Sequence, residues 1–385
     1  MQNEKDFIVF GSPLIEQDEI DEVIDCLKSG WLGTGPKVAK FEADFLNYIG
    51  GNYVAALNSC TAALHLSLKT LNLKPGDEVI TTAMTFCATV NSIIHSGATP
   101  VLADVELETM NIDPIEIRKK ITPKTKAIVI VHFAGRPCKM DEIMKIAEEY
   151  NLYVIEDCAH AIETTFKGKH VGTFGNFGCF SFYVTKNMTT GEGGMVIANR
   201  QEDINRIKIL GLHGMSKDAW KRFSDEAYKH YRVVEAGFKY NMMDIQAAIG
   251  IHQLKRIEKN WQKRQDVWNE YINAFKDLPI TLPSNPEPDT KHAYHLFTIL
   301  IDEKIAGISR DDFLTAINSY AIGVGVHYLS IPEHPFYQDL YGWKVEDYPN
   351  ACKIGQQTVS LPLSAKLTNE DVQRIVSAVR KILGN

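Results

Sequence analysis

The 385-residue chain contains no apolar run approaching the about 18 residues that a membrane span requires. Its first residues, MQNEKDFIVFG, lack the apolar core of a secretory leader. Its seven cysteines (Cys26, Cys60, Cys87, Cys138, Cys158, Cys179 and Cys352) are scattered, odd in number and never arranged as CxxC. That pattern argues against a disulfide framework and against a zinc site, and it predicts reduced cysteines in a cytoplasmic protein that holds no metal. Positive charge is not in excess: 41 Lys and Arg stand against 48 Asp and Glu, a net charge of −7. A general nucleic-acid partner would need a basic face, so none is expected. Local basic pockets for a phosphorylated substrate stay compatible with this balance. Internal repeats and low-complexity tracts are also missing.

What is present is an ordinary globular composition, 45% hydrophobic and 23% charged, on a chain long enough for two domains. Its centre is FGCFSFYVTKNMTTGEGGMVIANR, residues 177–200. CFSFYV reads as a strand and GEGGMVIA as a turn entering a second strand. Lys186 lies between them, at a strand end hemmed by aromatics. Partial burial disfavours an ammonium, lowers its pKa and leaves a nucleophilic amine, which an aldehyde cofactor requires. A lone lysine at such a place is more often a plain surface residue; the surrounding sequence shifts the balance. Upstream, LYVIEDCAHA ends an apolar strand on Asp157. A pyridoxal phosphate enzyme needs a carboxylate to keep the pyridine nitrogen protonated, and small or hydroxyl residues to hold the phosphate. Asp157 suits the first need and Ser181 part of the second.

The rest of the chain supports an α/β fold. Ile20, Val23, Ile24 and Leu27 mark one face of a helix over 18–29 that Gly30 stops. GWLGTGPK follows as a glycine-rich loop, on spacing alone more often a plain turn than a cradle for a ligand phosphate, and then a helix over 38–48. YVAALNSCTAALHLSLKTL reads strand, turn, helix, with Ser59, Cys60 and Thr61 at the helix start. An anion site and an ordinary N-cap look alike there. DEVITTAMTFCATVNSIIHSGATPVLADV reads strand, loop, helix, strand, with Phe86 in the loop. Strand and helix alternate from Tyr53 to Asn199, predicting a mostly parallel sheet with helices on both faces. Strand ends at Asp157 and Lys186 then share one edge, where such sheets bind ligands. Residues 215–235 are polar and mixed in charge, with Lys217, Lys221, Arg222, Lys229 and Arg232. A long helix is predicted through DIQAAIGIHQLKRIEKNWQKRQDVWNEY, with Ile245, Ala248, Ile249 and His252 at helical spacing. PITLPSNPEPD reads as a linker. Beyond it, HLFTILI and IGVGVHYL read as strands, and SRDDFLTAIN and NEDVQRIVSAVRKIL as helices, of a smaller α/β domain with an antiparallel sheet.

From SGWLGTGPKVAKFE to VSLPLSAKLTNEDV, and above all in VIEDCAHA…KGKHVGTFGNFGCFSFYVTKNMTTGEGGMV, the chain resembles the DegT-type sugar aminotransferases of pyridoxal phosphate fold type I. The resemblance implies a large cofactor-binding domain over 1–260, and a connecting helix with a small domain over 261–385. It makes Lys186 the catalytic lysine. It assigns cofactor binding to Cys60, Thr61, Phe86 (stacked on the ring), Asp157, His160 (near the ring oxygen), Ser181 and Asn241. It assigns the substrate side to Trp31, Tyr183 and His327. Asn241 would cross a homodimer interface to the partner's cofactor phosphate, so that active sites are shared. Cys60 stands where Gly or Ala is usual and Val184 where Pro is usual; neither alters the backbone amide or the lysine register.

The implied reaction moves the amino group of L-glutamate, the family's usual donor, onto a nucleotide-linked keto sugar, with pyridoxal 5'-phosphate as cofactor. SGWLGTGPK, AMTFCATVNSI and GFKYNMMDIQAA look closest to enzymes acting on UDP-4-keto sugars, such as the UDP-4-keto-pentose aminotransferase of lipid A modification, and point to cell-surface polysaccharide or glycan biosynthesis. dTDP- and GDP-keto sugars and keto-inositols are the alternative acceptors. A related dehydratase, with His in place of the lysine, is disfavoured by Lys186. A non-catalytic cofactor-binding regulator is disfavoured by the intact lysine, aspartate and phosphate elements.

Overall fold

The computed structural model describes residues 7–216 and 231–384. Of the cations singled out between 215 and 235, Lys217, Lys221, Arg222 and Lys229 lie outside these described residues.

The first half alternates as the sequence predicts: α1 (Gln17–Ser29), α2 (Pro36–Ile49), β1 (Tyr53–Leu57), α3 (Cys60–Thr70), β2 (Glu78–Thr82), α4 (Cys87–Ser96), β3 (Thr99–Ala103), α5 (Pro114–Lys120), β4 (Thr125–Val131), α6 (Met140–Tyr150) and β5 (Tyr153–Asp157). A short hairpin of β6 (Thr165–Phe166) and β7 (Lys169–His170) leads to β8 (Phe177–Ser181), β9 (Gly194–Ala198) and α7 (Gln201–Leu210). Then come α8 (Asp244–Lys255), α9 (Ile257–Phe275) and β10 (Thr290–Lys291), which pairs with β6. The last part holds β11 (Phe297–Leu300), α10 (Glu303–Ala306), α11 (Arg310–Ser319), α12 (Pro335–Tyr341), α13 (Pro349–Gln357), β12 (Thr358–Leu361) and α14 (Asn369–Leu383).

The main sheet has seven strands in the order β1-β9-β8-β5-β4-β2-β3. β3, β2, β4, β5 and β8 run parallel, and β9 runs antiparallel to both β8 and β1. The reason is in the connections. A parallel return needs a crossover, usually a helix, and residues 182–193 between β8 and β9 form no helix. That non-helical connection carries Lys186. The strands are buried on both faces, as parallel sheets are. Alternate residues serve opposite layers: Ala55, Leu57, Cys179 and Val196 pack with α3, while Ala56, Phe180 and Met195 pack with Phe41 and Phe45 of α2. Gly178 is required in β8, because a Cβ there would lie 2.2 Å from the carbonyl oxygen of Gly172.

A second core gathers Trp268, Tyr271 and Phe275 of α9 with Phe297, Ile299, Val359 and the inner face of α14. Its sheet is the antiparallel pair β11-β12. The N-terminal segment crosses to it, where Ile8 N–H donates to Ala321 O at 2.9 Å. No helix among the described residues is long and apolar enough to cross a membrane.

Four details differ from the sequence reading. IGVGVHYL makes only isolated bridges, at Ile322 with Ile8 and at Gly325 with Ser360; β12, in VSLPL, takes the strand's place beside β11. The expected long helix breaks at Arg256. Burial on α8 falls on Ala247, Ala248, Gly250 and Ile251, leaving Ile245 and Ile249 half-buried, because α8 packs against both α1 and α2. Finally, the apolar stripe of α1 does not face the core. Ile20 is 46% and Leu27 54% exposed, while Glu19 and Cys26 are buried. Gln253 donates to Glu19 at 2.8 Å and Arg256 pairs with it. Periodicity reports a stripe, not what covers it.

Candidate active site

The site forms where the carboxyl ends of β1, β5 and β8 meet the amino end of antiparallel β9. The order β1-β9-β8-β5 makes these four strands contiguous. Asp157 ends β5 and Ser181 ends β8, opposite Gly194. Gly194 in turn lies against the start of α3: a Cβ there would sit 2.4 Å from the carbonyl carbon of Ser59 and 2.5 Å from the amide nitrogen of Cys60. Ser59 caps α3, its side chain accepting from Ala62 N at 3.1 Å. The amides of Cys60 and Thr61, in the first turn, have no acceptor within the helix. Thr61 is exposed and Ser181 half-buried, and both stand at this edge of the sheet.

Asp157 is buried and accepts from Ala159 N at 3.1 Å and from Thr89 Oγ1 at 2.9 Å. Burial raises its carboxyl above the usual carboxylate range, while those two hydrogen bonds and the charge of Lys186 pull it back. Lys186 keeps a partial opening to solvent as a residue, but the surroundings of its amine are dense. Desolvation lowers its pKa to about 8, against the opposing pull of Asp157 and Cys60. The strand before it is shorter than predicted: β8 ends at Ser181, so Lys186 sits on the turn beyond and not at the strand end. The amine therefore becomes neutral as pH rises through about 8. In cofactor-free protein, labelling of Lys186 by an aldehyde trapped with borohydride should rise about tenfold per pH unit below that point and level off above it. A rate still climbing at pH 10, read by peptide mapping, would contradict a depressed lysine.

Asn187 anchors this turn. Its Nδ2 donates to Glu163 Oε2 at 2.8 Å and to Ala293 O at 3.1 Å, leaving its Oδ1 for His295 Nδ1 at 2.9 Å. Glu163 pairs with Arg264, and both side chains are almost fully buried. His160 is buried, 4.5 Å ring to ring from His295, and hydrogen-bonds Tyr328 Oη at 3.0 Å. Burial, then the charge of Lys186, hold His160 and His295 well below the ordinary histidine pKa. His327 is lowered to about 3 for the same two reasons, and its Nδ1 lies 2.9 Å from Ser360 Oγ. Phe86 stands at the head of α4, 57% exposed, 5.8 Å from the Tyr328 ring. Tyr183 is exposed beside Lys186.

Two expected members stand to one side of Lys186: Trp31 and Asn241 line a cavity of about 1150 Å³, with Gly33, Lys208, His213, Lys239 and Leu57, the last residue of β1, which Asn241 bridges. There Asn241 Nδ2 donates to Thr34 Oγ1 at 2.7 Å, and its Oδ1 is buried without a partner. Sequence reasoning missed Thr89, Asn187, His295 and Tyr328. Tyr328 and Asn187 each had one signal, a place next to His327 and to Lys186; Thr89 and His295 sit in segments that read as plain structure.

One further cluster gathers His132, Glu156 and Cys158. Glu156 accepts from the backbone N–H of Gly172 (2.7 Å), Phe174 (2.8 Å) and Gly175 (2.7 Å), and from His132 Nε2 (3.1 Å). His132 Nδ1 accepts from Cys138 N at 3.0 Å. These groups hold the 172–175 turn behind the sheet.

A desolvated lysine amine opposite a buried carboxylate, beside a helix start with free amides and two hydroxyls, fits the aldehyde, the ring nitrogen and the phosphate of pyridoxal phosphate. Such a site belongs to an enzyme that carries amino groups through a lysine. The chain matches the DegT/DnrJ/EryC1/StrS aminotransferase family over residues 13–380, and it belongs to that family. It is 45% identical to the spore coat polysaccharide biosynthesis protein SpsC of Bacillus subtilis (strain 168) over 384 residues, which is 100% of this chain and 99% of SpsC. Spr1654 of Streptococcus pneumoniae, in its PLP form, superimposes with a TM-score of 0.90 at 32% identity, covering 98% of this chain and 99% of that one. Helicobacter pylori PseC, an aminotransferase involved in the biosynthesis of pseudoaminic acid, does so with a TM-score of 0.91 at 29% identity, covering 98% and 99%. The architecture, a large mixed-sheet domain with a smaller C-terminal α/β unit, is fold type I.

Proposed function

We propose that this aminotransferase uses pyridoxal phosphate to move the amino group of L-glutamate onto a nucleotide-linked keto sugar, a UDP-4-keto sugar, for a cell-surface polysaccharide. The observation that carries the reading is the desolvated amine of Lys186 facing Asp157 at one sheet edge. The name of SpsC supports the polysaccharide setting. The motifs around Trp31, Phe86 and Asn241 support the sugar-nucleotide acceptor.

The cofactor supplies an aldehyde that takes up the amino group and a ring that draws electrons from the reacting carbon. Lys186 Nζ would bond to it, and the same nitrogen, when free, would take the proton from the donor's α-carbon and return it. Asp157 would keep the ring nitrogen protonated. The Cys60 and Thr61 amides, with the Thr61 and Ser181 hydroxyls, would hold the phosphate at the positive end of α3. Phe86 would cover the ring face. Trp31, Tyr183 and His327 would take the sugar side. Asn241 would serve the partner's phosphate in a homodimer. Two features support that assignment: Asn241 and Trp31 line a cavity to one side of Lys186 in their own chain, and α1 leaves an apolar stripe uncovered. The seven free cysteines support a cytoplasmic setting.

A spectral half-reaction tests the reading. L-glutamate should abolish the visible band of the loaded enzyme, and a UDP-4-keto sugar should restore it. A band unmoved by glutamate and by glutamine removes the donor. Restoration by dTDP-, GDP- or inositol ketones but not by the UDP sugar removes the acceptor.

A further inference from the structure

Both nitrogens of His160 are engaged inside the protein. The Ala134 backbone N–H faces His160 Nδ1 at 3.3 Å. An amide can only donate, so Nδ1 is the acceptor and the single proton of the neutral ring sits on Nε2. Nε2–H therefore donates to Tyr328 Oη, 3.0 Å away. The phenol keeps its own proton for a third group, and among the described residues His160 is its only hydrogen-bond partner. Packing fixes the pair. The two ring planes lie within 21° of each other, and Phe133 packs edge-on against both, at 6.0 and 6.2 Å. Burial, then the charge of Asp157, raise the Tyr328 phenol above its ordinary range, so it remains a donor.

Pyridoxal phosphate presents four polar points: the ring nitrogen, the phosphate, the aldehyde carbon and a ring oxygen beside that carbon. Asp157, the start of α3 and Lys186 answer the first three. The donor left for the fourth stands next to Phe86 and close enough to Lys186 for the lysine charge to act on His160. We infer that Tyr328, oriented by His160, donates its phenol proton to the ring oxygen of the cofactor, and that His160 acts through Tyr328 instead of touching that oxygen. This differs from the direct contact expected of His160 and rests on the cofactor assignment above.

The test is the pH titration of the visible band in loaded enzyme without substrates. Asp157, Lys186, His295, His327 and Cys87 are the other titratable groups near the pair, and all are kept in the variants. A donor to the oxygen favours its anion. Removing the donor in Tyr328→Phe lets the oxygen and its neighbouring nitrogen hold their shared proton more tightly, so the midpoint should rise by about one unit. His160→Ala should move it the same way, and the double variant no further. An unchanged midpoint in Tyr328→Phe overturns the inference, as does a shift in His160→Ala alone. So does an unchanged spectrum with only the sugar KM raised, which would make the substrate the acceptor. Nitrogen-15 NMR of cofactor-free native protein needs no variant: a proton on His160 Nε2 is expected, and one on Nδ1 overturns the relay. Absence of any visible band overturns the cofactor reading itself, and this inference with it; a band that ignores Tyr328 overturns this inference alone.

Discussion

Lys186→Ala is expected to transfer amino groups at about 10⁻⁴ of the native rate or less, because in the proposed mechanism one nitrogen both bonds the cofactor and moves the proton. No other amine in the described site replaces it. The surrounding histidines His160, His295 and His327 are neutral, and His160 and His327 are tied to Tyr328 and Ser360. The variant should keep its circular dichroism and still hold cofactor, since Asp157 and the start of α3 are untouched. Its visible band should lose the covalent character that borohydride fixes in the native enzyme. Full activity in this variant would sink the mechanism. A loss of cofactor together with a loss of fold would show a structural lysine instead.

The largest effect on stability is expected at Arg264. Its guanidinium is 2% exposed against a Glu163 carboxylate that is 0% exposed. Burial alone pushes Glu163 upward, and Arg264 offsets it. Arg264→Met removes the compensating charge and leaves the carboxylate with only Asn187 and a backbone N–H as donors. Breaking a buried pair from one side costs about 3–5 kcal/mol, and urea unfolding should read a loss of that order. Replacing both partners, as Glu163→Gln with Arg264→Met, should recover most of it, because an amide is far cheaper to bury than an unpaired carboxylate. A single variant as stable as native would show that water reaches the site. Activity should fall with stability in the single variant, since Glu163 holds Asn187, the residue next to Lys186.

Much of this was legible in the sequence because local chemistry and fold point the same way. The apolar run ending in Asp157, the Ser59–Thr61 helix start and the alternation through β1 to β5 are each fixed by neighbours in sequence. The family was legible too, from long motifs around Lys186. What escaped depends on residues far apart in the chain. Tyr328 meets His160 across 168 positions, and Arg264 meets Glu163 across 101. No periodicity announces such pairs. The α1 stripe misled because an apolar face looks the same whether a core or another surface covers it. IGVGVHYL has strand composition, yet the backbone of Ser360 bonds it only at Gly325.

The adjacent carboxylates at the end of β5 set a limit on how this chain can vary in length. Asp157 faces the site, while Glu156 points to the other layer and accepts three backbone amides and a histidine. Side chains alternate along a strand, so adding or deleting one residue between Tyr153 and Asp157 exchanges the two positions. The longer carboxylate would then crowd the pyridine edge, and the shorter one would fall short of the 172–175 turn. Insertions are expected to be tolerated at the exposed Lys167–Gly168 bend but not within these five residues. An alignment gap here would mark a chain that has given up the chemistry, whatever its remaining motifs say.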